Sequence, residues 1–309
     1  MLIRPAKAVD LAGIASVRLA IGDAHDDSGV DPRYCNFLME HGQLMVAVTA
    51  VTAVTAVTAG SDGDGHGHGH DGGDRVVGFV GTVEVGPARL LADLFIDPQV
   101  QGAGVGRALL GEALRSSDRR FTFSSADPRA LPIYARAGML PRWPLLYLRG
   151  SVDQLPPVGD LTVGLGPVED AAAFEESIVG YGRSATYRYW ASRPGSTTAV
   201  VRRGGVVVAA GVVFGVARAE TDGSIERPTA DSAARVEHLV IGDAEPAEVF
   251  AAVARFAGSR EVVAYIPGER QLSAWLLSRR FVIDDIDTFM ATEAAVVNGA
   301  LAVVHPGLC

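Results

Sequence analysis

Cysteine is nearly absent from this chain, with two among 309 residues, Cys35 and Cys309. Two thiols in such different settings exclude a disulfide framework and a Cys-rich zinc site. Positive charge is also short: 27 Lys and Arg stand against 36 Asp and Glu, a formal charge of −9. That balance argues against a surface for nonspecific binding of nucleic acid or of an anionic membrane. Although 48% of the residues are hydrophobic, no uninterrupted apolar run approaches the roughly 20 residues of a membrane span. The chain opens on the strand-like Leu2-Ile3-Arg4 rather than on an apolar leader. These absences predict a soluble cytoplasmic protein with no nucleic-acid and no membrane partner. The length suits two domains of ordinary size better than one core.

What the sequence does hold is concentrated between Leu90 and Leu114. The apolar run Leu90–Ile96 reads as a strand, Asp97-Pro98 as a turn, and Val105–Leu114 as a helix entered through glycines. Gly102, Gly104 and Gly106 lack a Cβ, so their backbone N–H groups can approach a ligand closely. The helix start adds unpaired N–H groups and a positive dipole end. Strand, bare loop and helix start therefore predict a pyrophosphate cradle. No Lys-Ser/Thr follows the last glycine, which excludes the phosphate loop of nucleotide hydrolases. The dinucleotide fingerprint fits less well, because its third glycine would fall at Arg107.

Gln101-Gly-Ala-Gly-Val-Gly106 resembles the acyl-CoA-binding signature of the GCN5-related N-acetyltransferases, the GNAT family. In that signature a Gln or Arg stands three residues before a Gly and five before a Gly or Ala. Asp97-Pro98 is similar to the family's entry to the loop. Leu131-Pro-Ile-Tyr-Ala-Arg-Ala-Gly-Met139 resembles its second helix and the turn leaving it. Ile3-Arg4-Pro5-Ala6, followed by Asp10-Leu11 and Ile14, resembles its N-terminal strand and helix. The three segments stand in family order and cover residues 1–150. The resemblance implies acetyl-CoA as cosubstrate and direct transfer of its acetyl group to a primary amine, with a small-molecule acceptor favoured over a protein N-terminus. It implies cofactor contacts from Gln101, Gly102, Ala103, Gly104, Val105 and Gly106, and from the strand backbone at Leu94 and Ile96. Arg107, near the helix start, could meet a phosphate or serve only the surface.

Transfer from a thioester needs a neutral amine and a proton for the leaving thiolate. Tyr134 matches the family tyrosine that supplies this proton. Asp93 and Glu84 are both candidates for the base, a water-relayed base is a third option, and either carboxylate could instead bind a cationic acceptor. Alternation places Asp93 on the face of Phe95, opposite Leu94 and Ile96. Tyr34, Cys35, Phe37 and Met39 correspond to the variable segment covering the acceptor pocket. Cys35 has no base or orienter fixed beside it in sequence, which disfavours a covalent acyl carrier. An acyl-CoA-binding structural or regulatory protein without efficient transfer is the alternative from another class.

The Val-Thr-Ala triplet repeats from Val48 to Ala59 and runs into a Gly/His/Asp tract. This predicts an expanded hairpin tip, disordered near 58–74. His66, His68 and His70 sit on glycine hinges with a large ordering cost. Asp23, His25, Asp26, Asp27 and Asp31 miss the calcium-loop spacing. No metal site is expected from either group.

From Leu161 the opening order recurs: a strand, a helix start at Pro167-Val-Glu-Asp, paired strands, the strand Arg235–Ile241, the helix Pro246–Phe256 and the strand Val262–Ile266. At the cofactor-loop position, Ile241-Gly-Asp-Ala-Glu-Pro246 lacks the glycine pattern, and Asp243 and Glu245 would repel a pyrophosphate. The expected fold class is α/β, with two tandem acetyltransferase-like units, each a mixed, mostly antiparallel sheet flanked by helices. Residues 1–150 would hold the cofactor, 151–159 would link, and 160–309 would form the diverged unit. That unit would stabilise the first, wall its acceptor pocket or mediate dimerisation, so a monomer or homodimer is expected.

Overall fold

The computed structural model describes residues 1–22, 31–50, 74–125, 127–215, 233–294 and 296–309, and the backbone of 218–219 and 225–226. The first series of elements is β1 (Leu2–Pro5), α1 (Leu11–Ala20), α2 (Pro32–His41), β2 (Gly42–Thr49), β3 (Arg75–Val85), β4 (Ala88–Ile96), α3 (Val105–Ala113), β5 (Arg120–Ser124), α4 (Ala130–Arg136) and β6 (Leu140–Ser151). The second begins with β7 (Leu161–Leu165), α5 (Val168–Val179), α6 (Ser184–Ser192), β8 (Ser196–Arg203) and β9 (Val206–Phe214). A short ribbon, β10 (Arg218–Ala219) and β11 (Ile225–Glu226), precedes β12 (Ala234–Ile241), α7 (Pro246–Phe256), β13 (Glu261–Pro267), α8 (Gln271–Ser278), β14 (Val282–Ala291) and β15 (Leu301–Val303). Without the ribbon and β15, the second series repeats the first element for element: strand, two helices, three strands, helix, strand, helix, strand.

The chain packs as two compact units, Met1–Thr82 with Asp93–Arg115, and Val83–Ala92 with Ser116–Cys309. In the first, β1 pairs antiparallel with β2, from Leu2 opposite Val48 to Pro5 opposite Met45. Opposite faces of β3 are kept close to their helices by two glycines, as the period-two geometry of a strand requires. A Cβ on Gly78 would meet Ile96 at 2.8 Å and Leu109 of α3 at 3.4 Å; one on Gly81 would meet Leu38 of α2 at 2.8 Å and Asp93 at 3.0 Å.

In the second unit β4 pairs in parallel with β5, Arg89–Leu91 opposite Arg120–Thr122. Strands then follow in the order β5-β14-β6-β13-β12-β9-β8-β7. The expectation of a separate sheet for each tandem unit is corrected here. Within the second unit, strands of both series share one hydrogen-bonded path. The cause is an exchange of last strands. β6, closing the first series, pairs with β13 of the second, from Ser151 opposite Glu261 to Leu145 opposite Pro267. β14, closing the second series, pairs with β5 of the first, from Thr288 opposite Ser124 to Ala291 opposite Phe121. Between them β6 and β14 pair with each other.

Aromatic packing holds this seam. Trp143 of β6 stacks on Phe289 of β14 at 4.1 Å, and Phe121 and Phe123 of β5 pack on the same ring at 5.9 and 5.3 Å. Burying Phe289 alone contributes about 2 kcal/mol. Tyr147 donates to Asp287 at 2.6 Å across the same pair of strands. Beyond β6, Val152 and Leu155 are buried in the core with Phe250 of α7 and Phe281. Gly150 lies against the Phe281 ring, where a Cβ would approach to 2.5 Å.

Asp23, His25, Asp26 and Asp27, and the expected hairpin tip with His66, His68 and His70, lie outside the described residues. Among the described residues no helix is long and apolar enough to cross a membrane, and no group of three His, Cys, Asp or Glu is placed to hold a metal ion.

Candidate active site

The turn after β4 is fixed by a buried carboxylate. Asp97 accepts from Gln99 N at 2.9 Å, and its own N–H donates to Val77 O at 2.9 Å. Arg75, at the start of β3, forms an ion pair with Asp97 and donates to Gln99 Oε1 at 3.1 Å. Pro98 opens the helical turn Pro98–Val100, where its fixed φ is already suitable. Gln101 Nε2 then reaches back to Ile96 O at 3.1 Å and ties the loop to the end of β4.

Gly102 and Gly104 adopt φ of +83° and +84°, a region that costs an L side chain about 1–2 kcal/mol. A Cβ on either would meet nothing within 4 Å. Glycine is required there for backbone conformation, and the open space leaves the amides approachable. α3 starts at Val105 with no side-chain cap on its first turn. Its leading N–H groups therefore have no partner within the helix and carry the positive end of its dipole. Residues 101–104 are exposed, as is Arg107, while Val105 and Leu109 anchor the inner face. A Cβ on Gly106 would sit 3.5 Å from Ile96, an ordinary contact. The loop thus fits a diphosphate: two bare left-handed turns facing outward, followed by an uncapped helix start.

Asp93 is half-buried on β4 and accepts a hydrogen bond from Tyr34 of α2 at 2.5 Å. Phe95, two residues on, packs against Phe79 at 5.4 Å and lies under the guanidinium of Arg18 of α1 at 5.3 Å. Ile96 instead reaches Gly78 and Gly106. Cys35 is buried beside Tyr34; burial, with the Asp93 carboxylate adding to it, pushes its thiol up to about 12. A thiol that keeps its proton at neutral pH is a poor nucleophile.

Glu84 and Tyr134 belong to the second compact unit, whereas the loop and Asp93 belong to the first. Glu84 has a side chain 52% exposed and paired with Arg89, whose Nε donates at 2.7 Å. Arg89 also donates to Ser116 Oγ at 3.0 Å. Tyr134 is buried on α4, which ends at Arg136 and is followed by Gly138 with φ of +85°. Its carbonyl accepts from Ala137 and Met139 at 3.0 and 3.1 Å, which fixes the backbone from which its ring projects.

Sequence reasoning placed Tyr34 only in a covering segment and assigned no role to Arg75. The signal for α2 was Asp31-Pro32: the Asp31 carboxylate accepts from Arg33 N at 2.9 Å, ahead of a proline at the first helical position. Nothing local identifies Arg75 as the partner of Asp97.

A profile of the acetyltransferase (GNAT) domain family matches residues 44–140. A Pyrococcus horikoshii protein described as a candidate acetyltransferase superposes with a TM-score of 0.63 at 14% identity, over 98% of this chain and 94% of that one. A GCN5-related N-acetyltransferase from Anabaena variabilis does so with a TM-score of 0.60 at 12% identity, over 94% and 72%. A tandem GNAT protein from the clavulanic acid biosynthesis pathway gives 0.58 at 13%, over 96% and 99%. No curated protein matches the chain in sequence. The chain has the GNAT acetyltransferase fold.

Proposed function

We propose that this chain is an acetyl-CoA-dependent N-acetyltransferase that acts by direct transfer on a primary amine of a small molecule. The observation that carries the reading is the pair of outward-facing, positive-φ glycines, Gly102 and Gly104, immediately before the uncapped start of α3. Bound acetyl-CoA would supply an activated acetyl thioester and its thiolate leaving group. The amides of Gly102 to Gly106 hold the diphosphate, with Gln101 and Asp97 fixing the loop and Arg107 adding positive charge. The β4 backbone at Leu94 and Ile96 orients the pantetheine arm.

Asp93 accepts or relays the proton of the amine, or binds it while still charged, and Tyr34 holds the carboxylate. Glu84 is the weaker candidate because Arg89 already occupies its carboxylate. Tyr134 gives a proton to the departing sulfur. Cys35, whose thiol stays protonated, takes no covalent part. The tandem reading is supported by the repeated element order and the exchange of β6 and β14. Residues 1–150 then form the catalytic repeat, and 160–309 a diverged one that lends β14 to the first. A monomer or a homodimer in the cytoplasm is the assembly proposed.

The test is acetyl-CoA-dependent thiol release across a broad amine panel. Turnover with at least one amine, lost in Tyr134→Phe and Asp93→Asn, supports the reading. Binding of acetyl-CoA without transfer to any amine would favour a structural or regulatory acyl-CoA binder instead.

A further inference from the structure

The parallel strand pairs align the two repeats over three residue pairs each. β4 meets β5 through Arg89–Leu91 opposite Arg120–Thr122, and β12 meets β13 through Ala234–Val236 opposite Val262–Ala264. Counting two residues onward in sequence from the last pair, past the register shift of β12 against β9 between Val236 and His238, puts His238 at the position of Asp93, and Tyr265 follows Ala264 as Phe123 follows Thr122. Ile241–Pro246 then occupies the place of the cofactor loop, between β12 and α7.

In the second repeat the space beyond those pairs is filled. β15 pairs antiparallel with β12, Val303 opposite Leu239 and Leu301 opposite Val240. Ile241 N donates to Ala300 O at 3.0 Å, and on the other side Val304 N donates to Tyr265 O at 2.9 Å. One segment therefore bonds to both strands of the parallel pair. Leu301 to Val304 are all buried.

The segment continues into a closed polar cluster. Arg183 donates to the Leu308 carbonyl and, through Nη1, to Glu175 Oε1 at 3.1 Å. Glu175 Oε2 also accepts from Tyr187 at 2.7 Å and lies 2.8 Å from His238 Nε2. Trp190 covers His238 at 4.9 Å, and His305 packs edge-on against Tyr265 at 6.0 Å. Glu175, Arg183, Tyr187 and His238 are no more than 5% exposed. A charge pair this deep is tolerated only with every partner in place, and residues 305–309 supply one of them.

We propose that the cleft of the second repeat is a strand-binding slot that takes an extended, apolar, amide-bearing peptide, and that residues 296–309 fill it in cis. This rests on the reading of the chain as two acetyltransferase-like repeats. The chemistry is strand addition: backbone groups of β12 and β13 give affinity, and the burial of all four side chains from Leu301 to Val304 selects apolar ones. A thioester arm presents amides to the same kind of edge, but here the edge is already paired. The chain therefore holds one acyl-CoA, at Gln101–Arg107.

Hydrogen exchange on the full-length protein, with and without saturating acetyl-CoA, tests this. Peptides covering 237–241 and 300–304 should exchange at least about a hundredfold more slowly than unstructured peptide, equally in both states. Peptides covering 101–107 should gain protection with acetyl-CoA. Exchange of 300–304 at the free-peptide rate, or faster exchange there on adding acetyl-CoA, would overturn the slot. If 101–107 does not respond while 300–304 stays protected, the acyl-CoA reading falls and the filled slot stands. The Leu308 side chain is itself buried, so a Leu308→Ala variant that retains the wild-type circular dichroism spectrum should speed exchange at 300–304; unchanged exchange would contradict an anchoring role for that side chain.

Discussion

Tyr34 on α2 donates a hydrogen bond to Asp93 on β4 at 2.5 Å, joining residues 59 apart in sequence. A hydrogen bond to a charged carboxylate contributes about 1.5–3 kcal/mol. If Asp93 handles the acceptor amine, Asp93→Asn lowers kcat/KM by about a hundredfold or more. Tyr34→Phe lowers it by about tenfold, which is about 1.4 kcal/mol. Because Tyr34 acts through Asp93, the double variant should resemble Asp93→Asn alone. Steady-state kinetics of the three proteins checks this, and a double variant showing the full product of both effects would contradict it.

The loop glycines separate conformation from contact. Gly104→Ala places a side chain at φ of +84° and should destabilise the protein by about 1–2 kcal/mol. Gly106→Ala adds a Cβ at ordinary distance from Ile96 and should stay within about 0.5 kcal/mol of wild type, with acetyl-CoA affinity retained. Urea unfolding with a matched binding titration measures both.

Both thiols should resist modification in the folded protein. Burial pushes Cys35 and Cys309 up to about 12 from the ordinary 9.0, with Asp93 adding to the effect at Cys35; at Cys309 the Arg183 guanidinium partly offsets it and Glu175 adds to it. Because the folded values lie above the unfolded ones, this contribution to stability is whole below pH 9 and is lost as pH rises toward 12. A disulfide reagent at pH 7 should titrate neither thiol natively and both after denaturation. Unfolding midpoints should fall between pH 9 and 12.

The buried cluster of the second repeat predicts the opposite sign in acid. Burial alone would raise the Glu175 carboxyl, but His238 and Arg183 overrule it and hold the group below the usual carboxylate range. Its contribution is present above the unfolded value near 4.5 and is lost as pH falls below that. Glu175→Ala leaves Arg183 uncompensated and should destabilise by about 3–5 kcal/mol. Chemical denaturation at pH 7 measures the loss, and acid titration of the wild type should show stability declining below pH 4.5.

Local pattern carried the reading where a residue's neighbours in sequence are also its partners in space. α7 begins at Pro246 and ends at Phe256 as the proline and apolar spacing require, with Val249–Ala254 buried. The strand, turn and glycines from Leu90 to Gly106 were legible for the same reason. α2 was missed because its helix start, Asp31-Pro32, lies at the end of an acid-rich stretch that reads as a loop. The apolar end of β14, Phe289–Ala291, is buried, but nothing in its sequence shows which strand it joins. The exchange with β6, the Tyr34–Asp93 bond and the filling of the second cleft by β15 depend on pairings between distant segments, and no local signal encodes them.

Calorimetric titration of acetyl-CoA into the full-length chain tests the central claim most directly. The account predicts saturable binding at one site per chain, abolished by Gly104→Glu, which sets a negative side chain in the open space where the diphosphate belongs, and retained by Tyr134→Phe. No heat of binding at saturating acetyl-CoA, or unchanged affinity in Gly104→Glu, would contradict it.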